Sequence, residues 1–211
     1  VDVSRSMLAE DVEPNRLERT KTIIRGIVDR VEKARYGITV YKGDAYRLLP
    51  VTEDLNAVRS TLDLISPSLS TSPGTNIERG IRRGADGFPE KELRRKVVLL
   101  FSDGESHSGN PVEAAEYALR NEIMIHALGI GTKEGGSIPL GEGRFVRDTH
   151  GNKVVSTLRE HTLRRTAEVA NGRYIPVRGG ETLSGILEEL ELEVREEKIR
   201  YTSEGRYTSF L

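Results

Sequence analysis

The apolar run Val97-Val98-Leu99-Leu100-Phe101 stops abruptly at Ser102-Asp103-Gly104, and a second run, Ile123 to Ile130, follows after one helix-length segment. Uninterrupted apolar runs of this kind read as strands covered on both faces. Between them Pro111 opens a helix that continues to about Asn121, because proline suits the first turn of a helix. The order strand, helix, strand predicts a right-handed parallel crossover. The fold class expected is therefore α/β: a three-layer, doubly wound, mostly parallel sheet with helices on both faces.

The flanking sequence extends the same rhythm. From Asn15 to Val31 the residues Leu17, Ile23, Ile24, Ile27, Val28 and Val31 recur mostly at helical spacing among charges, after Pro14. Tyr36–Tyr41 and Tyr46–Val51 are short β-rich runs joined by Lys42-Gly43-Asp44, which predicts a hairpin and one antiparallel edge strand. A helix is expected from a Thr52 cap to about Ile65, and another from Ile77 to about Phe88, capped by Thr75-Asn76. Between them Ser66–Gly74 reads as a Ser/Pro-rich loop. The glycine-rich stretch 137–158 breaks the alternation and is expected to form one or two small hairpins. Helix Thr162–Ala170, strand Arg173–Val177 and helix Thr182–Glu197 then resume it, the last with Leu183, Leu187, Leu190 and Val194 on one face.

The length of 211 residues fits a single domain over 1–211, with 36% apolar and 31% charged residues arguing for a globular chain. Lys and Arg total 32 against 33 Asp and Glu, so bulk charge gives nucleic acid no hold. The absence of Cys excludes disulfides, thiolate zinc sites and cysteine nucleophiles. No apolar run approaches the ~20 residues of a membrane span. Asp2 should end a strand, yet only Val1 precedes it, so a strand truncated at its start is expected, with natural sequence upstream.

Oxygen-bearing side chains concentrate where strands hand over to loops. Asp2-Val3-Ser4-Arg5-Ser6 sets a carboxylate and two hydroxyls at alternate positions, and Thr75 and Asp103 lie at the start of a helix and the end of a strand. In open α/β sheets such strand ends border the ligand crevice. Mg²⁺ selects oxygens, about six of them at ~2.0–2.1 Å, and keeps several waters, so few protein ligands suffice. Asp2, Ser4, Ser6, Thr75 and Asp103 are the candidate ligands of a divalent cation, Mg²⁺ first, with Mn²⁺ and Ca²⁺ as alternatives.

These five positions, Asp-x-Ser-x-Ser with a later Thr and Asp, resemble the metal-ion-dependent adhesion site of the von Willebrand factor type A (vWA) family. The likeness extends to its bacterial membrane-anchored aerotolerance (Bat-type) members through Ser6–Leu17, Gly129-Ile130-Gly131-Thr132, Ser137-Ile138-Pro139, Asp148, Gly151 and Val154–Leu158. The resemblance implies a Rossmann-like vWA fold in which Asp2, Ser4 and Ser6 stand around the metal while Thr75 and Asp103 bind directly or through water. It also implies flanking transmembrane helices and a soluble domain facing the periplasm or exterior. The expected partner is a protein presenting an Asp or Glu carboxylate. Other vWA-type subunits and a MoxR-type ATPase system are alternatives implied by the Bat likeness, and the coupling known in relatives would here link Asp103 to movement of the Thr182–Glu197 helix.

Other chemistries fit less well. His107 and His126 lie near Ser102 and Asp103 in sequence, but Gly-x-Ser-x-Gly is absent, which disfavours a hydrolytic triad. His126 reads as a strand residue, His150 and His161 as surface or helix-start groups, and Glu105 as a solvated loop residue or a neighbour of the metal ligands. The chain lacks Gly-x-x-x-x-Gly-Lys-Ser/Thr, which argues against ATP. A non-catalytic binding module is expected, with a Mg²⁺-dependent hydrolase as the weaker alternative.

Overall fold

The computed structural model describes residues 1–31, 33–89, 95–179, 184–186 and 188. They fall into a compact unit, Val1–Gly179, and a second, Gly180–Leu211, in which 184–186 and 188 are helical. Most of the helix expected over Thr182–Glu197, and with it any coupling to Asp103, lies outside the described residues.

In the first unit a 3₁₀ turn, Arg5–Leu8, leads to α1 (Arg16–Arg30), then β1 (Tyr36–Tyr41), β2 (Ala45–Thr52), α2 (Leu55–Leu64) and α3 (Ile77–Ala85). There follow β3 (Lys96–Ser102), α4 (Pro111–Arg120) and β4 (Ile123–Ile130). Four short strands come next, β5 (Gly136–Ser137), β6 (Pro139–Gly141), β7 (Arg144–Phe145) and β8 (Val155–Ser156), before α5 (Glu160–Val169) and β9 (Tyr174–Val177).

β3 and β4 pair in parallel from Lys96 opposite Ile123 to Ser102 opposite Gly129, and β4 pairs in parallel with β9. β1 and β2 form the antiparallel hairpin. Residues 1–3 join the two groups: Asp2 bridges Tyr41 in parallel, the Val3 amide donates to the Tyr41 carbonyl at 2.9 Å, and the Asp2 amide donates to the Phe101 carbonyl at 2.9 Å. The sheet thus reads β2, β1, residues 1–3, β3, β4, β9, with β2 as the antiparallel edge. The short first strand is nevertheless anchored on both sides.

Helices cover both faces. On one, Ile77 and Ile81 of α3, Ala114 and Ala118 of α4, and Leu163 and Ala167 of α5 form a single buried cluster with Tyr41, Leu100, Ile125 and Ala127. The small residues let helices approach closely: a Cβ at Gly80 would stand 2.5 Å from Tyr41 Cδ1. On the other face α1 buries Leu17, Ile23, Ile27 and Val28, and α2 buries Val58 and Leu62. Alternation along a strand explains the division, since Tyr41 joins the first core while Val40, fully buried too, points the other way.

Local capping refines the expected boundaries. Asn15 caps α1 by accepting from the Glu18 amide, and Asn76 caps α3 by accepting from the Arg79 amide. The cap of α2 is Asp54, not Thr52: its carboxylate accepts from the amides of Asn56 and Ala57, while Thr52 closes β2 and takes the Asp54 amide on its hydroxyl at 3.1 Å. A carboxylate at the positive end of a helix outcompetes a neutral hydroxyl two residues earlier. Likewise α5 starts at Glu160, two residues ahead of Thr162. The insertion consists of two small antiparallel pairs, β5 with β8 and β6 with β7.

Candidate metal centre

Asp2, Ser4, Ser6 and Asp103 come together at the carboxyl ends of the central strands, and Thr75 lies on a loop bonded to the one that follows Asp103. Asp2, Ser4, Ser6, Thr75 and Asp103 are all buried, Asp2 and Asp103 at 0% exposure. Asp2 is held by the strand bonds on its backbone, and its carboxylate by two donors: the Ser4 amide reaches Oδ1 at 2.9 Å and the Ser102 hydroxyl reaches Oδ2 at 2.8 Å. The 3₁₀ turn brings Ser6 back over Ser4, leaving the hydroxyl oxygens 2.9 Å apart. Thr75, one residue before the α3 cap, is fixed through its neighbours: its carbonyl accepts the His107 amide at 2.9 Å, and the Asn76 amide donates to Lys42 at 2.7 Å. The loop carrying Thr75 is thereby fastened to the loop that follows Asp103.

Asp103 leaves β3 on a tight turn. Its Oδ1 accepts the Glu105 amide at 3.0 Å, and its carbonyl accepts the Arg159 amide at 2.7 Å. Gly104 has φ +79, and a Cβ there would run into the Arg159 carbonyl, so only glycine allows this approach.

Its other carboxylate oxygen carries a feature absent from the sequence reading. Arg16, fully buried, donates from Nη1 to Asp103 Oδ2 at 3.0 Å and to the Ser156 hydroxyl at 2.9 Å. The same guanidinium holds Asp11 in a fork, Nε to Oδ1 at 2.8 Å and Nη2 to Oδ2 at 2.9 Å. Asp11 in turn accepts the Thr132 amide at 2.8 Å and its hydroxyl at 3.0 Å. Ser156 also lies 3.3 Å from Asp103 Oδ2 and 3.2 Å from Glu105 Oε1. Sequence alone showed Arg16 as one charge at the start of an amphipathic helix. The only hint was that it occupies the buried side of that helix, one residue before Leu17.

The electrostatics fit a dication. Burial, and then the negative charge of Asp103, push the Asp2 carboxyl up to about 7, against the hydrogen bonds from Ser4 and Ser102. Burial and then Asp103 also raise Glu105. The Tyr41 hydroxyl is enclosed beside Asp2 and Ser102 without a well-formed hydrogen bond, and burial and then Asp2 raise it well above its usual range. Arg16 is matched by Asp11, which leaves Asp2 and Asp103 as two buried negative charges that a 2+ ion would balance. Among the described residues no three Asp, Glu, His or Cys side chains are grouped so as to hold a metal ion, so the remaining oxygens must come from hydroxyls and water. This donor set, all oxygen and without nitrogen or sulfur, suits a hard cation. His126 stands apart: its Nδ1 accepts the Arg173 amide at 3.1 Å.

Comparison with known proteins agrees with this architecture. Residues 1–105 match the family model of the von Willebrand factor type A domain. An aerotolerance-related membrane protein from Bacteroides fragilis is similar at 36% identity and a TM-score of 0.86, over 92% of this chain and 96% of that one. The protein BatB from Bacteroides thetaiotaomicron is similar at 35% identity and a TM-score of 0.86, over the same shares. Proximal thread matrix protein 1 from the mussel byssus, in a form whose metal-ion-dependent adhesion site motif holds zinc, shares the fold at 19% identity and a TM-score of 0.65. It aligns over 89% of this chain and 42% of that one. A UPF0353 protein of Mycolicibacterium paratuberculosis is 23% identical over 95% of this chain, which spans 60% of that relative's length. On this shared sequence and fold, the chain belongs to the von Willebrand factor type A family, with Bat-type, aerotolerance-related proteins among its relatives.

Proposed function

We propose that the chain is a metal-dependent protein-binding domain in which Asp2, Ser4, Ser6, Thr75 and Asp103 hold a Mg²⁺-type cation, and a partner's Asp or Glu carboxylate completes its coordination. The observation that carries this reading is the pair of fully buried carboxylates, Asp2 and Asp103, set among buried hydroxyls at one end of the sheet. Two carboxylates neutralise the ion, and the neutral hydroxyls leave an incoming anion unrepelled. Asp103 takes hydrogen bonds from Arg16 and Ser156 on one oxygen, an arrangement suited to a ligand that acts through water and leaves the metal electron-poor. The zinc held by the similar motif of the mussel protein is consistent with a divalent ion in this position. The metal would anchor the partner and leave turnover to others.

The reading extends to the cell envelope. A relative is described as a membrane protein, and no helix among the described residues is long and apolar enough to cross a membrane. A domain of this kind would work at a membrane when tethered by sequence outside it. Calorimetric titration of Mg²⁺ into wild type, Asp2→Asn and Asp103→Ala tests the site, followed by a peptide bearing one Glu. Wild type should bind the ion and then the peptide, with chelator abolishing the second step. Equal ion binding by all three proteins would refute the ligand set.

A further inference from the structure

Next to Asp103 opens a cleft of about 1040 Å³, walled on one side by Gly104–His107 and on the other by Thr157–Thr162 and Arg164, with Lys133 at its margin. None of the five candidate ligands lines it, but it adjoins their site through Gly104 and Glu105. Gly104 and Glu105 directly follow Asp103, the Arg159 amide is bonded to the Asp103 carbonyl, and the Leu158 amide to the Thr132 carbonyl at 2.9 Å. The far wall is thus fixed by backbone to the loop that carries Asp103, which holds the cleft beside the site.

Cations slightly outnumber acids along it, in a chain whose overall charge is −1. Three cations line it, Lys133, Arg159 and Arg164, with His107 and His161 beside them; the acids are Glu105 and Glu160. Glu160 is ion-paired, whereas Glu105 is held by a neutral hydroxyl and keeps its charge at the Asp103 end of the cleft. Glu160 takes Arg178 at 2.6 Å and faces Arg164 at 3.9 Å, and Glu105 Oε1 takes the Ser156 hydroxyl. Arg164 also stacks on Tyr174 at 4.7 Å. Lys133 and Arg159 are exposed and pair with no carboxylate among the described residues, so they are the cations left to meet an anionic ligand.

We infer that the partner presents an acidic segment, in which one carboxylate reaches the metal and further Asp or Glu side chains lie along this cleft against Lys133 and Arg159. This rests on the metal-anchored reading above and adds the chemistry of the partner's neighbouring residues. A lone carboxylate carries little information; two exposed cations beside the site select among the many proteins that expose one. Because the cleft is open to solvent, its contribution should weaken as salt screens it, while the metal contact persists.

The test uses the full chain loaded with Mg²⁺ and two peptides of equal length, hexaglutamate and a Gly-rich control with one Glu, compared by calorimetry. Wild type should bind hexaglutamate roughly tenfold more tightly than the control, corresponding to ~1.4 kcal/mol. The double variant Lys133→Ala/Arg159→Ala should lose that preference while keeping wild-type affinity for Mg²⁺ and for the control. Equal hexaglutamate affinities in wild type and the double variant would overturn the role of the cleft alone. Binding of both peptides that survives chelator, or no binding of either by the Mg²⁺-loaded protein, would overturn the metal-anchored reading and this inference with it.

Discussion

Arg16 offers a perturbation with two effects of opposite sign. Arg16→Met keeps most of the side-chain volume but removes the cation shared by Asp11 and Asp103, together with its bonds to the Ser156 hydroxyl and carbonyl. Removing one partner of a buried ion pair costs about 3–5 kcal/mol, because the remaining charge is left uncompensated. Asp11 keeps two donors from Thr132, so its share of the loss is moderated. Asp103 is at 0% exposure and keeps only the Glu105 amide and the more distant Ser156 hydroxyl, so its share is large. A loss of about 3–4 kcal/mol is expected in urea unfolding with chelator present. A dication bound at Asp103 replaces the missing charge, and saturation to ~100-fold above its dissociation constant adds about 2.7 kcal/mol to any site that binds it only when folded. Freed from Arg16, Asp103 should bind Mg²⁺ more tightly, so the variant should gain more from Mg²⁺ than wild type does. Arg16→Lys, a point charge without the fork, should fall between the two. A loss below about 1 kcal/mol in chelator, or identical Mg²⁺ increments in variant and wild type, would refute the charge argument.

Two further outcomes follow from the fold. Burial, then the charges of Arg95 and Arg173, lower His126 to about 4 from the 6.5 of a free imidazole. The unfolded chain takes up the proton first, so this contribution is complete above pH ~6.5 and is lost as the pH falls toward 4, by at most about 3 kcal/mol. His126→Asn, able to accept the Arg173 amide without titrating, should flatten that part of the stability profile, and an unchanged slope would count against it. Gly80→Ala places a methyl 2.5 Å from the Tyr41 ring. It should lower stability by about 1–3 kcal/mol despite the better helix propensity of alanine, as read by thermal unfolding.

The elements legible in the sequence are those whose apolar pattern is decided locally. The run Val97–Phe101 and the segment Ile123–Ile130 became β3 and β4 because each is long, apolar and flanked by breakers, and α1 followed from its stripe. The placement of the candidate oxygens was legible for the same reason, since Asp2 and Asp103 sit, buried, where strands end. Thr52 misled because two capping groups stood two residues apart, and only the strand pairing of Thr52 opposite Tyr36 decides between them. Arg16, Asp11 and Ser156 were illegible as a group. Arg16 meets Asp103 across 87 positions and Ser156 across 140, and no local pattern marks such a meeting. An arginine on the inner side of a helix is ambiguous until its counter-charge is known.

Residues 1–3 close the gap between the hairpin and the parallel strands, and the middle one carries the first acid of the site. With Asp2 as a metal ligand, as proposed, ion capture and the zipping of the sheet would be one event: a chain that frays there would lose its grip on the cation, and a captured cation would resist the fraying. Amide exchange at Val3 and Tyr41 should slow when the ion arrives, so the backbone itself becomes a gauge of occupancy.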